Sequence, residues 1–442
     1  MVAVSSIMKD AVRIGKTVTN KLVREKAELV LGTGDTVPVL NVTARYSLED
    51  YQNKITAVEH IKLLLPGGTY QSKLLPNKDN VMLYLYTTRR GKTKLKKWRA
   101  VIQGYGDKHV EGNDLSEANE TALNTQRLEE ISIQLMEPSV EKMRVLEVSG
   151  NYTATTPENL INTVMGSQML SLGLNGDDKF QGMDIYPLDN QKLYNQYVIK
   201  PIKLHDLPGY LQHDERNGVG LYYTGVGSFF SNNRWYIWPL LHTRRFDKVT
   251  DGVTIVRVPP KLLPTLETTY ENNDGQLVIL VTGESKYVDT SNHTHYNAGN
   301  GARVVSADAV AGDVGVVQDR GKMLKLRSES VKEFKTVDRQ TGVDYAPVEQ
   351  TVTNNVYRIM QRNALADGAF MTVNWQNSDP TLLRPGVPVR YIYAKGDGVA
   401  MRYGVVLKKE THEEIDNGSK VDSVFHVDTG LLLFLENEDA TS

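Results

Sequence analysis

Apolar residues at every second position, in short runs broken by turns, constrain this chain more than any other feature. Such runs bury themselves only as β-strands with one covered face. After Val37, Leu40, Val42, Ala44 and Tyr46 alternate with Asn41, Thr43, Arg45 and Ser47. This pattern predicts a strand with Asn41, Thr43, Arg45 and Ser47 on its wet side. Further strand-like runs follow at Val58 to Leu65, Val81 to Tyr86, Lys97 to Gln103, Ile131 to Met136 and Val145 to Val148. Pro66-Gly67-Gly68 and Arg90-Gly91 punctuate them as turns. Many short strands with turns between them read as a barrel or sandwich.

The period changes twice. Residues 5 to about 30 carry Ile7, Ala11, Ile14, Val18, Leu22 and Leu29 at three- and four-residue steps, which predicts an amphipathic helix. That helix folds back on its own domain or serves as an arm for a neighbouring subunit. The second change is at Thr156-Pro157-Glu158, which has a capping hydroxyl, a proline at the first helical position and an acid in the first turn. Leu160, Ile161, Val164 and Met165 supply its buried stripe and Gly173 its stop. A short helix is expected near Asp206 and Pro208. A hairpin across Ser231-Asn232-Asn233 joins Gly218 to Phe230 with Arg234 to Leu241.

The remainder is strand-rich again. A helix is expected from about 347 to 367, and polar residues from 284 to 330 read as a long loop. In the last strand, Phe425, Val427, Thr429, Leu431, Leu433 and Leu435 share one face. The expected organisation is an N-terminal helix or arm over 1–35 and a first β-barrel over 36–154. A middle α+β domain follows over 155–250, and a second β-barrel domain over 251–442. The fold class is mainly β with an α+β insertion.

Composition narrows the function. A formal net charge of −2 gives no global field for nucleic acid or a cationic partner. The absence of cysteine removes disulfides, thiolate metal sites and a cysteine nucleophile. No stretch approaches the ~18 consecutive apolar residues of a membrane span, and Met1 to Lys9 lacks the apolar centre of a secretory signal.

Candidate reactive groups are sparse. The glycines Gly218, Gly220, Gly225 and Gly227 lie within the expected hairpin, where no helix N-terminus can meet a phosphate. His293 and His295, two apart after Asp289, could share a metal from one face of an extended segment, or belong to a solvated Asn/Thr-rich loop. His205-Asp206, His213-Asp214, Glu129-Glu130 and Glu413-Glu414 are sequence neighbours, which a helix or strand points apart. Arg89 to Arg99, with Lys92, Lys94, Lys96 and Lys97, reads as a hairpin tip. It is either a solvated turn that protects an edge or a docking patch for an acidic partner or passing DNA. No catalytic, cofactor or metal residue is assigned.

Three stretches resemble the baseplate hub proteins of contractile-tailed phages of the T-even type. They are Val39 to Gln103 with Trp98-Arg99-Ala100-Val101-Ile102, and Leu207-Pro208-Gly209-Tyr210-Leu211 with the aromatic-rich Arg234-Trp235-Tyr236-Ile237-Trp238. The third is a helix and strand followed by Leu383-Arg384-Pro385-Gly386-Val387-Pro388-Val389 and a long closing hairpin. The resemblance implies two tail-tube-like β-barrels per subunit and a homotrimer. Such a ring would adapt a sixfold tail tube to a threefold central spike. Implied partners are the spike, the tail tube or distal tube ring, inner baseplate wedge proteins and the tape measure protein. Genomic DNA would pass the channel without specific binding. The protein would reside in the virion baseplate, after assembly in the host cytoplasm, with no membrane anchor, cofactor or enzymatic activity. Two other readings stay open: a tail-associated hydrolase, and a host-binding or fibre-attachment module that exposes Tyr222, Trp235 and Trp238.

Overall fold

The structure is a computed structural model. It describes 23–107, 128–213, 219–258 and 368–437, apart from 90, 249–250, 396–397 and 416–423. It also describes 269–273, 276–282, 287–289, 316–319, 322–325 and the helical positions Tyr357, Gln361, Ala364 and Leu365.

Seven strands come first: β1 (Val23–Leu31), β2 (Thr36–Val37), β3 (Asn41–Asp50), β4 (Val58–Pro66), β5 (Val81–Arg89), β6 (Lys92–Asp107) and β7 (Leu128–Met136). The middle unit carries α1 (Pro138–Met143), β8 (Glu147–Thr155), α2 (Pro157–Ser171), β9 (Met183–Ile185), β10 (Tyr194–Lys203), α3 (Leu207–His213), β11 (Val226–Ser231) and β12 (Arg234–Pro239). Six further strands are β13 (Val253–Arg257), β14 (Tyr270–Asn273), β15 (Gln276–Val281), β16 (Tyr287–Asp289), β17 (Val316–Asp319) and β18 (Lys322–Lys325). The last four are β19 (Gly368–Trp375), β20 (Pro388–Lys395), β21 (Gly398–Ile415) and β22 (Val424–Glu436).

The expected helix over residues 5 to 30 fails at its C-terminal end, because residues 23–31 form β1. Val23, Glu25, Ala27, Leu29 and Leu31 are buried while Arg24 and Lys26 are exposed. Tertiary pairing with the whole of β5 overrides the three- and four-residue spacing. The rest of that helix lies outside the described residues.

The pairings close on themselves. The path β3–β4–β7–β6–β5–β1–β22–β21 returns to β3, and every step is antiparallel. Inside this eight-strand ring lie Leu29, Leu63, Leu83, Trp98 and Ile133, together with Phe425 and Val427 from the chain's far end. A second path runs β15–β13–β20–β21–β22–β19, and the antiparallel bridge Thr282–Asn374 joins β19 back to the end of β15. It encloses Ile255, Ile279, Trp375, Tyr391, Val405 and Leu433. The first ring takes β1 and half of the closing hairpin in addition to strands from 36–154. It ends at Met136, because β8 pairs with β10 in the middle unit.

β21 and β22 belong to both rings. Along the 18 residues of β21, the first part pairs with β20 and the later part with β3. A bulge at Leu407 marks the change, as expected where a strand must bend. β22 likewise pairs with β19 from Thr429 onward and with β1 at Val424 and Phe425. The alternation expected of this strand is present: positions 425, 427, 429, 431, 433 and 435 are all buried.

The middle unit matches its sequence signals. Thr156 accepts a hydrogen bond from the Asn159 amide (3.2 Å), α2 buries Leu160, Ile161, Val164 and Met165, and Gly173 follows at positive φ. The β11–β12 turn places Asn232 and Asn233 at φ 50 and 59, which suits the twist of a two-residue hairpin.

Candidate functional site: the junction of the two rings

The first ring is apolar at one end and charged where it meets the second. The charge enters through β3. A bulge at Thr43 shifts the β3–β4 register between Val42 and Ala44. Since one residue reverses strand facing, Arg45 turns into the ring and Tyr46 turns out. This overturns the expected wet face for Arg45.

Arg45 meets three inward carboxylates. Its Nη1 lies 2.9 Å from Glu25 and 4.0 Å from Glu413, and its Nη2 lies 2.8 Å from Glu59. Thr87 donates to Glu25 at 3.1 Å. Arg89 extends the network to Glu413 (2.8 Å) and Asp379 (3.3 Å). Arg45–Glu413 and Glu49–Lys409 are direct cross-strand partners, so opposite charges face each other over the β3–β21 seam.

The connection between β19 and β20 caps this charged end. Lys409, 2.7 Å from Glu49, donates to the carbonyls of Pro380 and Leu383 at 2.8 and 2.7 Å. The Ser378 amide donates to the Val427 carbonyl at 2.9 Å, filling the gap between β1 and β19 along β22. A segment of the second ring is thus tied to the inner wall of the first.

Burial and the neighbouring charges compete in setting the protonation of these groups. Burial, with Glu413 adding to it, lifts the Glu25 carboxyl to about 7 despite Arg45. Burial also raises Glu49, partly offset by Lys409. At Glu59 burial is outweighed by Arg45, and the carboxyl sits below its ordinary value. At Arg45 burial opposes the charge, but Glu59, Glu25 and Glu413 hold the guanidinium well above its usual range. The network is a structural tie between elements.

A second tie lies beside it. Tyr51 follows β3, and its amide donates to the bulged Leu407 carbonyl at 2.9 Å. Its buried ring fills the space where a Cβ on Gly227 or Gly386 would sit, 2.1 and 2.9 Å from ring carbons. Gly227 of the glycine cluster thus admits a ring, and Gly218 lies outside the described residues. Gly220 leaves room for Tyr357 and Gly225 for Gln361, so helical residues pack on the loop ahead of β11. Tyr223 and Tyr357 stack with centroids 4.7 Å apart.

The other candidates are dispersed, apart from His205 and Asp206, which approach each other where neighbours were expected to point apart. Glu129 accepts from the Gly68 and Tyr70 amides, whereas Glu130 accepts from Thr43. Glu413 points into the ring and Glu414 lines its outside. His205 lies 3.5 Å from Asp206 at the start of α3. Asp214, His293 and His295 lie outside the described residues. Part of the basic run is tied down: Arg89 as above, Lys96 to Glu137 (2.6 Å) and over the Trp98 ring, and Arg99 near Glu141 (3.3 Å), while Lys92, Lys94 and Lys97 are exposed and Arg90 lies outside the described residues. Tyr222, Trp235 and Trp238 are buried, as expected for core rather than for an exposed groove. Among the described residues, no group of three His, Asp or Glu could hold a metal. Sequence reasoning missed Glu25 and Glu59, placed Arg45 on the wet face, and named Glu413 only as half of a pair with Glu414. The available signal was parity, since Glu25 sits in step with Val23, Ala27 and Leu29.

No protein-family model matches the chain, and no curated protein matches it. Several solved structures are similar to it. One is the tail protein from Neisseria meningitidis MC58: 10% identity, 93% of this chain and 96% of that chain covered, TM-score 0.45. Another is the 43 kDa tail protein of prophage MuSo2 from Shewanella oneidensis: 8% identity, 94% and 96% covered, TM-score 0.45. A third is the E. coli c3393 protein, a component of the type VI secretion system: 11% identity, 93% and 77% covered, TM-score 0.41.

Proposed function

We propose that this protein is the structural hub of a phage-type tail baseplate, and that it is not an enzyme. The observation that carries the reading is the pair of β-rings built on one shared hairpin. Three copies of such a chain would present six rings about a threefold axis. A sixfold tube could then rest on one face and a threefold spike hang from the other. The ring would hold the tape measure protein and let DNA pass without reading it. Its wider contacts would be to tube, spike and wedge proteins within the virion, after assembly in the host cytoplasm.

The charged junction suits this work. Force from the tube must cross from one ring to the other without hinging, and a hairpin common to both, pinned by Arg45, Arg89 and Lys409, resists hinging. Light scattering on the purified protein tests the reading. A particle of three chains is expected, and a strict monomer at high concentration would contradict it. The hydrolase reading predicts turnover of peptidoglycan, which is expected to be absent.

A further inference from the structure

Outside the shared hairpin is a cleft that the hub reading does not use. It has a volume of about 510 Å³ and is lined by Glu410, His412 and Glu414 of β21 and by His426 and Asp428 of β22. Asn374 closes one end. The alternation that sends Glu413 inward sends these side chains out, and the antiparallel register sets His412 against Asp428 and Glu414 against His426. The lining carries three acids and two histidines, with His412 3.4 Å from Glu410 and His426 3.4 Å from Asp428. Lys408, 2.9 Å from Glu410, offsets one of the acids.

The chain itself supplies a cation of matching size beside this cleft. β1 starts at Val23, which pairs with Phe425, one residue from His426. The preceding residues, 1–22, contain Lys9, Arg13, Lys16 and Lys21 against Asp10 alone, four positive charges less one negative, or +3. The acidic lining from Glu410 to Glu414 runs along roughly 13 Å of strand. The ten residues from Val23 back to Arg13 reach about 15 Å if helical and about 33 Å if extended. The segment is therefore long enough, of the right sign, and tethered at the cleft's edge.

We infer that residues 1–22 dock in this cleft on their own chain, clamping the outside of the hairpin that both rings share. The test uses the full chain. Zero-length carbodiimide cross-linking of a mixture of isotope-labelled and unlabelled protein should join Lys9, Lys16 or Lys21 to Glu414 or Asp428 within one chain. The Glu414→Lys/Asp428→Lys variant should be cut by trypsin at Lys9 and Lys21 at least fivefold faster, with its far-UV circular dichroism unchanged. Adding Arg13→Glu and Lys16→Glu to that variant should restore slow cleavage. Equal cleavage of parent and charge-reversed protein would overturn the assignment. So would cross-links that join labelled to unlabelled chains, or that place the segment elsewhere.

Discussion

Arg45 is the residue whose loss should be felt most. It neutralises Glu25 and Glu59 inside the first ring and approaches Glu413. Removing one partner from a buried ionic network leaves charge without compensation, at a cost of about 3–5 kcal/mol. Arg45→Ala should lower unfolding stability by that order in urea titration, with the m-value unchanged. A loss below about 1 kcal/mol would show that water reaches the junction. Glu25 gives a pH prediction. Its folded value near 7 lies above the ordinary 4.5, so the folded state holds a proton that the unfolded chain releases. Stability from this group is greatest below about pH 4.5 and declines until about pH 7. Glu59, whose value is lowered, acts oppositely and loses its contribution as pH falls below 4.5. Glu25→Gln should therefore match the parent near pH 5 and exceed it by roughly 1–3 kcal/mol at pH 8. A variant no more stable than the parent at pH 8 would contradict the assigned proton. These charges were hard to see in the sequence because Arg45 falls in step with Asn41, Thr43 and Ser47. Only the bulge at Thr43 turns it inward, and a bulge has no reliable residue signature.

Elements with local signals were legible, and elements defined by distant partners were not. The Thr156 cap, Pro157, Gly173 and the paired asparagines of the β11–β12 turn each encode their conformation within a few residues. β1 does not. Its helix-like spacing yields to nine residues of pairing with β5 and closure onto β22. The Leu-Arg-Pro-Gly-Val stretch before β20 has a packing reason. Gly386 needs its positive φ of 85, and its missing Cβ admits the Tyr51 ring. Gly386→Ala and Gly227→Ala should each displace that ring and destabilise by about 1–3 kcal/mol, the usual range for overpacking. Combining either with Tyr51→Leu should recover part of the loss. Equal penalties with and without Tyr51 would detach the glycines from the ring. Thr156→Ala should cost about 1 kcal/mol, as an ordinary lost cap.

At the scale of the whole molecule, the sequence shows strands at both ends of the chain but not that the ends are joined. β21 and β22 lie more than three hundred residues beyond β3 and β1, yet they complete the ring those strands begin. No local pattern reveals such a closure. The consequence is mechanical: the two rings share covalent strands and cannot separate without breaking the hairpin ladder. This is the property a chain needs if it is to stand for two neighbouring positions of a sixfold tube. Electron microscopy of the assembled particle viewed down its axis measures it directly. Three chains about a threefold axis are expected, with six ring densities alternating between two kinds. A particle with six chains, with twofold symmetry, or with a single ring density per chain would contradict it.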